Sequence, residues 1–181
     1  LQPFIATLIT MTVYRGVTMI YTEGKPISGL GSSAFLKFIG KGAVFGIPFP
    51  VIILVVVFAI FYFVLNKTTF GRRIYATGSN AECAKLAGVN INKTKLIAYG
   101  VSGLMSAMAG LILLSRLSSA QPTLGSGYEL DAIAAVALGG TSMNGGRGKI
   151  TGTLFGVLII AVLSNGMNIL GISSYYQDVV K

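Results

Sequence analysis

The chain has 181 residues, of which 53% are hydrophobic and 10% charged, and its mean hydropathy is +0.77. Soluble domains usually carry about a quarter charged residues, so a composition this apolar, arranged in long blocks, argues against a soluble domain and predicts a membrane protein. One cysteine and no histidine exclude an internal disulfide and a Cys/His metal cluster. They also leave no imidazole to act as a general base.

The net charge is +9, from 14 basic and 5 acidic residues. In a soluble protein this excess would suggest nucleic acid as a partner. Here the basic residues cluster in short segments between apolar blocks, which is typical of the cytoplasmic loops of a membrane protein. We therefore expect a lipid bilayer and no nucleic acid.

Apolar segments long enough to cross about 30 Å of hydrocarbon recur along the chain. The predicted spans are Leu1–Ile20, Ile47–Leu65, Leu96–Ser115 and Ile150–Leu170. The first is the least regular, because Arg15 lies near its end, where its side chain can reach the interface. The apolar stretch Glu129–Gly140 is too short to span, which predicts a half-helix, a re-entrant segment or a broken span.

Charge assigns the orientation of these spans. Loop 66–95 is the most basic, with Glu82 as its only acidic residue. Its cations are Lys67, Arg72, Arg73, Lys85, Lys93 and Lys95. This predicts that the loop is cytoplasmic, as is Thr141–Lys149, which leaves Tyr21–Gly46 and Gly171–Asp178 outside. The external assignment of Tyr21–Gly46 conflicts with its own three lysines.

Small residues recur at helical spacing in two spans. Ser102, Ser106 and Gly110 lie four residues apart, and Gly152 and Gly156 form a GxxxG pattern. Small side chains let helices approach closely in lipid, so both patterns predict helix-packing faces.

The segment GSNAECAKLAGVNINK is the clearest local motif. Ser79 and Glu82 have the spacing of a capping box, and Gly88 suits the left-handed residue that ends a helix. We therefore predict a helix at Asn80–Ala87 with caps at both ends. A helix this short is marginal alone, so it is either solvated or docked on a partner through its small residues, which are Ala81, Ala84 and Gly88.

The turn GGTSMNGGRGKIT resembles a nucleotide-binding loop only superficially. A P-loop requires Gly-Lys followed by Ser or Thr, whereas Gly148-Lys149 is followed by Ile150. We reject a nucleotide site and predict a tight turn between the broken helix and the next span.

Two stretches carry a family resemblance. The run GSNAECAKLAGVN, followed by SGLMSAMAGL, resembles the loop of ABC-importer permeases that contacts the ATPase subunit. The runs RLSSAQPTLGSGYELDAIAAVALGGTSMNGGRGKITGTLFG and SNGMNILGISSYYQ resemble permease subunits of importers for ribose and related monosaccharides. The resemblance is densest over Phe70–Gln177. It implies an all-α polytopic transmembrane bundle, in which residues 1–181 form part of a permease domain with about four spans and a short broken helix.

The resemblance also implies partners. Such permeases pair as homodimers in the bacterial inner membrane, receive sugar from a periplasmic binding protein, and are driven by separate cytoplasmic ATPase subunits. They hydrolyse nothing themselves and need no cofactor. Both ends of the sequence look cut, so we expect a fragment of a longer protein. The resemblance implies that it is the C-terminal part of a permease, without the first spans and the last one. The family's coupling helix falls on Gly78–Gly88, with an expected ATPase contact set of Gly78, Asn80, Glu82, Ala84, Leu86 and Gly88.

Several polar residues near the predicted outer face remain open to more than one interpretation. Glu129 and Asp131 could bind a cation or proton, contact the binding protein, or complement the N-terminus of their own helix, which is the favoured use. Asn165 and Asn168 could bind a sugar hydroxyl or, more in keeping with their spacing, a neighbouring helix. Binding-protein contact and interfacial anchoring both fit Arg116, Gln121 and Tyr128.

Two other classes of function are weighed against an ABC permease. An ion-coupled secondary transporter would need ionisable groups inside the membrane, and only Glu129 and Asp131 could serve. A membrane enzyme would need a catalytic constellation, which a chain with no histidine and one cysteine does not offer.

Overall fold

A computed structural model describes residues 3–29 and 34–180. Its helices are α1 (Pro3–Thr22), α2 (Ala34–Lys41), α3 (Phe49–Lys67), α4 (Thr69–Ser79), α5 (Ala81–Leu86), α6 (Ile91–Leu117), α7 (Tyr128–Leu138), α8 (Ile150–Ile169) and α9 (Ser174–Val180). Its strands are β1 (Ile27–Ser28), β2 (Ala43–Val44), β3 (Ile47–Pro48) and β4 (Ser119–Ala120). The mostly helical fold confirms the predicted class, to which the structure adds two short strand pairs.

Within the described residues, three helices are long and apolar enough to cross a membrane, namely α3, α6 and α8. They confirm the predicted spans with shifted bounds, and α6 extends the third span to 27 residues. The predicted span Leu1–Ile20 coincides with α1, a 20-residue helix that is not among these three. Leu1 and Gln2 lie outside the described residues.

The chain divides into two compact units. Unit 1 comprises residues 1–53 and 105–124, and unit 2 comprises residues 54–104 and 125–181. In unit 1, β1 pairs antiparallel with β4 and β2 with β3. Helix α2 lies against the end of α6, where the Ser115 hydroxyl donates to the Leu36 carbonyl, and a methyl group on Gly40 would lie 2.7 Å from the Arg116 nitrogen.

In unit 2, α7 and α8 pack as an antiparallel pair at backbone distance. A methyl group on Gly139 would lie 2.5 Å from the Gly152 carbonyl oxygen, and one on Gly156 would overlap the Ala135 carbonyl. The predicted packing face at Gly152 and Gly156 is thus confirmed, and its partner is α7. The same arrangement confirms that the stretch after Gly127 is a short helix, 11 residues long.

Few side chains are buried within the chain. Among the described residues the buried apolar ones are Ala84, Ala135 and Met167, and α3 contains no buried residue. The three spanning-length helices expose large apolar side chains. Because contact of apolar surface with water is unfavourable, these side chains contact lipid or further helices. Burial thus agrees with composition in assigning the chain to a membrane.

Candidate coupling site

The loop that follows α3 contains a second helix. Thr68 lies between α3 and α4. Its hydroxyl accepts a 3.3 Å hydrogen bond from the Gly71 nitrogen and donates a 2.6 Å hydrogen bond to the Val64 carbonyl, and these bonds fix the corner between the two helices. Gly71 is buried against the Leu65 carbonyl, where a side chain would clash. Helix α4 therefore leaves α3 at a defined corner. The prediction that residues 69–79 form a loop was wrong, because they form helix α4. Their polar residues and two glycines gave no sign of a helix, whose start is fixed by the Thr68 hydrogen bonds.

A single residue separates α4 from α5. Asn80 has an extended backbone with φ −153° and ψ 109°, and its side-chain oxygen accepts a 3.0 Å hydrogen bond from the Cys83 nitrogen. The predicted capping box was therefore wrong by one position: Ser79 is the last residue of α4, and Asn80 is the N-cap of α5. Glu82 lies in the first turn of α5, where a carboxylate complements the positive helix end.

The end of α5 confirms the predicted role of Gly88. Its φ is +80°, its nitrogen donates to the Lys85 carbonyl, and the Val89 nitrogen donates to the Ala84 carbonyl, each at 3.0 Å. This is the double hydrogen-bond pattern of a Schellman motif, which needs a left-handed residue at this position. Residues 69–88, here called the α4–α5 segment, are thus two capped helices joined at Asn80.

The side chains expected to contact an ATPase are exposed to different degrees. Ala84 retains 4% of its accessible surface, so it packs inside this chain. Leu86 retains 89%, and Glu82 and Asn80 are exposed. Leu86 is thus an exposed apolar side chain in a segment that also carries cations, and its contact with an ATPase stays a prediction.

The glycine-rich turn between α7 and α8 lies against the α4–α5 segment. The Tyr75 hydroxyl donates a 3.0 Å hydrogen bond to the Gly148 carbonyl. A methyl group on Gly78 would lie 2.7 Å from the Gly146 nitrogen. The turn carries Arg147 and Lys149, so two connections that are both predicted to be cytoplasmic adjoin.

The contact between α4 and the turn includes these points. A cavity of about 340 Å³ opens beside them, lined by Ile74, Val136, Thr141, Ser142, Arg147 and Lys149 among others. Tyr75, Gly145, Gly146 and Gly148 were missed as functional candidates. The run of glycines predicted a turn, but nothing in it indicates which segment the turn would touch.

The acidic residues lie in the first turn of α7. Gly127, the N-cap, supplies no side-chain hydrogen bond, so Glu129 and Asp131 are the negative groups nearest this positive helix end. With Ala135 packed on Gly156, Glu129 lies about 9 Å further along the helix pair at 1.5 Å per residue. The acidic turn is therefore level with the second half of α8.

The two asparagines of α8 differ in their surroundings. The Asn168 side-chain oxygen accepts a 2.9 Å hydrogen bond from the Gln177 Nε2, which also donates at 2.8 Å to the Ile172 carbonyl. Gln177 is buried, and it joins α9 to the end of α8. The Asn168 side chain thus contacts α9 in this chain, both asparagines are exposed, and their use in a sugar path or a helix contact stays a prediction.

The remaining candidates belong to separate units. Arg116 lies in the last turn of α6, and the Gln121 carbonyl accepts a 3.1 Å hydrogen bond from the Leu124 nitrogen, both in unit 1. Tyr128 begins α7 in unit 2 and is exposed.

Comparison with known proteins identifies the family. A family described as branched-chain amino acid transport system / permease component matches residues 1–181. The chain belongs to this permease family. The permease is thus a transport component and a multi-pass protein of the bacterial inner membrane, as predicted. No solved structure matches it.

Its relatives include sugar permeases. The chain is 57% identical over 181 residues to the ribose import permease protein of Bacillus subtilis (strain 168), covering 100% of this chain and 56% of the relative. It is 53% identical over 182 residues to that of Escherichia coli (strain K12), covering 99% and 57%. The L-arabinose transport system permease protein of E. coli (strain K12) is 45% identical over 181 residues, covering 100% and 55%. The permease chain thus spans little more than half the length of these relatives.

Proposed function

We propose that this permease chain is part of the membrane subunit of an ATP-driven importer that moves ribose, or a closely related monosaccharide, into the cytoplasm. The relatives with the higher identities are named as ribose permeases, and the one named for L-arabinose is less similar. A difference of this size favours ribose over arabinose as the cargo.

The observation that carries the mechanism is the α4–α5 segment. It presents Leu86, 89% exposed, on a helix capped at both ends in the most basic connection of the chain. Six residues are too few to hold a helix in water without such caps. A rigid, capped helix with an apolar anchor suits transmission of force from a partner better than a flexible loop does.

The partners follow from this assignment. A separate cytoplasmic ATPase binds the α4–α5 segment through Leu86, and its conformational changes on ATP binding and hydrolysis alternate access to the sugar path. A periplasmic sugar-binding protein delivers the cargo, and a second copy of the permease completes the path. The permease itself supplies no catalytic group for hydrolysis.

The test is to purify the full-length permease and ask what accompanies it. We expect an ABC ATPase to co-purify, and a sugar-binding protein to join when ribose is added. In proteoliposomes containing all three, labelled ribose should enter only with ATP, and unlabelled ribose should compete more strongly than arabinose. Accumulation driven by an imposed proton or sodium gradient without ATP would instead support an ion-coupled transporter, with Glu129 and Asp131 as the ionisable pair.

A further inference from the structure

The α4–α5 segment touches the α7–α8 turn through its backbone. A methyl group added to Gly145 would lie 2.6 Å from the Gly78 carbonyl oxygen, and one added to Gly146 would lie 2.7 Å from the Ser79 Cα. The atoms met are main-chain atoms, which cannot rotate aside as a side chain can. The two segments are therefore as close as two backbones can come.

A hydrogen bond holds the same two segments together one helical turn away. The Tyr75 hydroxyl donates to the Gly148 carbonyl at 3.0 Å, and Tyr75 lies one turn before Gly78 on α4. Two contacts on one helix face resist rotation as well as displacement, which one contact alone would not.

The turn is in its own right fixed to two helices. Gly139 and Gly152 meet at backbone distance, and Gly156 meets the Ala135 carbonyl. At these positions the atoms of α7 and α8 that meet are main-chain atoms. Displacement of the turn would therefore carry both helices with it, including the acidic first turn of α7, since close-packed elements move as units.

From these contacts we infer that Tyr75, Gly78, Gly145 and Gly146 form a rigid connection that passes movement of the α4–α5 segment to the α7–α8 pair. This inference rests on the proposed function, because it assumes that an ATPase moves the segment. The four residues are positioning residues: they touch neither nucleotide nor sugar, and they determine whether ATPase movement reaches the half-helix α7.

A matched pair of glycine substitutions isolates the contact. Gly146 and Gly140 have φ values of +73° and +79°, so alanine causes similar backbone strain at both. Only Gly146 has a neighbour at clashing distance, whereas a methyl group on Gly140 would meet nothing within 4 Å. In the full-length permease assembled with its ATPase and binding protein, we expect G146A to raise the ATP hydrolysed per sugar imported by about fivefold or more, and G140A to leave that ratio within twofold.

A milder variant covers the case in which G146A fails to assemble. Tyr75→Phe removes only the hydroxyl, and Tyr99→Phe, at an exposed position on α6, is its control. We expect Tyr75→Phe to raise the same ratio about twofold and Tyr99→Phe to leave it unchanged. Equal coupling in the native protein and both Tyr75→Phe and G146A would overturn the inference.

A distance measurement tests rigidity without relying on sugar transport. Spin labels on Arg73→Cys in α4 and Ile133→Cys in α7, both exposed, are placed in one copy of a mixed dimer in which Cys83 is replaced by serine. We expect their separation to stay constant when ATP is added. In a second sample, a dimer that carries the Arg73→Cys label in both copies, the distance between the two labels should change with ATP. G146A should make the first distance change as well.

The outcomes separate this inference from the proposed function. If the distance between copies changes with ATP and the native Arg73→Cys to Ile133→Cys distance changes too, the rigid connection is wrong although the importer assignment stands. If ATP changes neither distance in a complex that hydrolyses it, the segment is not moved by an ATPase, and both proposals fail.

Discussion

Helix α3 and the α4–α5 segment adjoin in the chain and are held in opposite ways. Helix α3 runs from Phe49 to Lys67 without a single buried residue in the chain, so lipid and other helices must cover it. The α4–α5 segment has a capping or corner hydrogen bond at Thr68 and Asn80 and a Schellman motif at Gly88. The position of α3 is therefore determined by the surrounding lipid and helices, whereas the α4–α5 segment is held by hydrogen bonds of individual polar atoms.

The two regions should therefore respond differently to substitution. A helix in hydrocarbon tolerates exchange of one apolar residue for another, because its backbone hydrogen bonds are internal and its surroundings are uniform. A short capped helix outside the membrane tolerates changes of charge on its exposed face but depends on a few named groups. The following substitutions test the contrast, in order of expected effect.

The largest effect is expected from a charge placed in α3. Val56 is exposed and lies near the middle of the helix, so Val56→Asp would put a carboxylate near the bilayer centre at a cost of about 3 kcal/mol. That is roughly a hundredfold in the insertion equilibrium. The inserted fraction can be measured with glycosylation sites placed on either side of the helix.

Ala76→Asp is the matched control for this substitution. Ala76 is exposed on α4, so a carboxylate there remains hydrated if the segment lies outside the membrane. We expect insertion of α3 and protein yield to stay at the native level. A loss of insertion equal to that of Val56→Asp would mean that α4 lies in hydrocarbon, and the contrast between the two regions would be wrong.

An intermediate effect is expected from the exposed anchor. Leu86→Ala removes most of an apolar side chain without disturbing either cap, and truncation of an interface anchor typically costs about 2 kcal/mol. Affinity of the full-length permease for its ATPase should fall roughly thirtyfold, measured by binding of the labelled ATPase to permease in nanodiscs.

Leu96→Ala supplies the comparison for this loss of binding. Leu96 is 74% exposed on α6, so the same truncation is made at a similarly accessible leucine outside the α4–α5 segment. We expect ATPase affinity to be unchanged. If Leu86→Ala also leaves it unchanged, the exposed leucine is not the anchor and the docking surface must lie elsewhere.

Much of this organisation was predictable from the sequence, for a physical reason. Spans such as α3 and α8 need about 20 apolar residues and no knowledge of their neighbours, so long charge-free runs identify them. Gly88 was equally predictable, because the left-handed conformation at a helix end favours one residue type. The half-helix α7 followed from its length alone.

Other features could not be predicted from local sequence. They depend on which of two neighbouring residues becomes the helix cap, or on contacts between segments that are distant in the chain. Ser79 and Asn80 are both good N-caps, and Asn80 caps α5 because α4 continues through Ser79, which a local pattern cannot reveal. Ala84 is buried although its position on a short exposed helix suggested a docking surface. The pairing of Gly78 with Gly145 and Gly146 joins the end of α4 to a glycine-rich turn, and nothing in either sequence indicates that the two segments meet.

The smallest effect is expected at the cap itself. Asn80→Ala removes the acceptor for the Cys83 nitrogen, which should cost about 1 kcal/mol of α5 stability. If the ATPase binds α5 only as a helix, its affinity should fall about fivefold, less than for Leu86→Ala. Asn92→Ala, at an exposed position in the first turn of α6, should have no effect on that affinity.

Asn80→Ser distinguishes the cap from direct recognition, because a serine hydroxyl can accept the same hydrogen bond but cannot reproduce an amide contact. If serine restores the affinity, the role of Asn80 is to cap the helix. If the affinity is as low as that of the alanine variant, the ATPase contacts the Asn80 amide directly. In that case α5 does not depend on its cap, and the contrast with α3 is wrong.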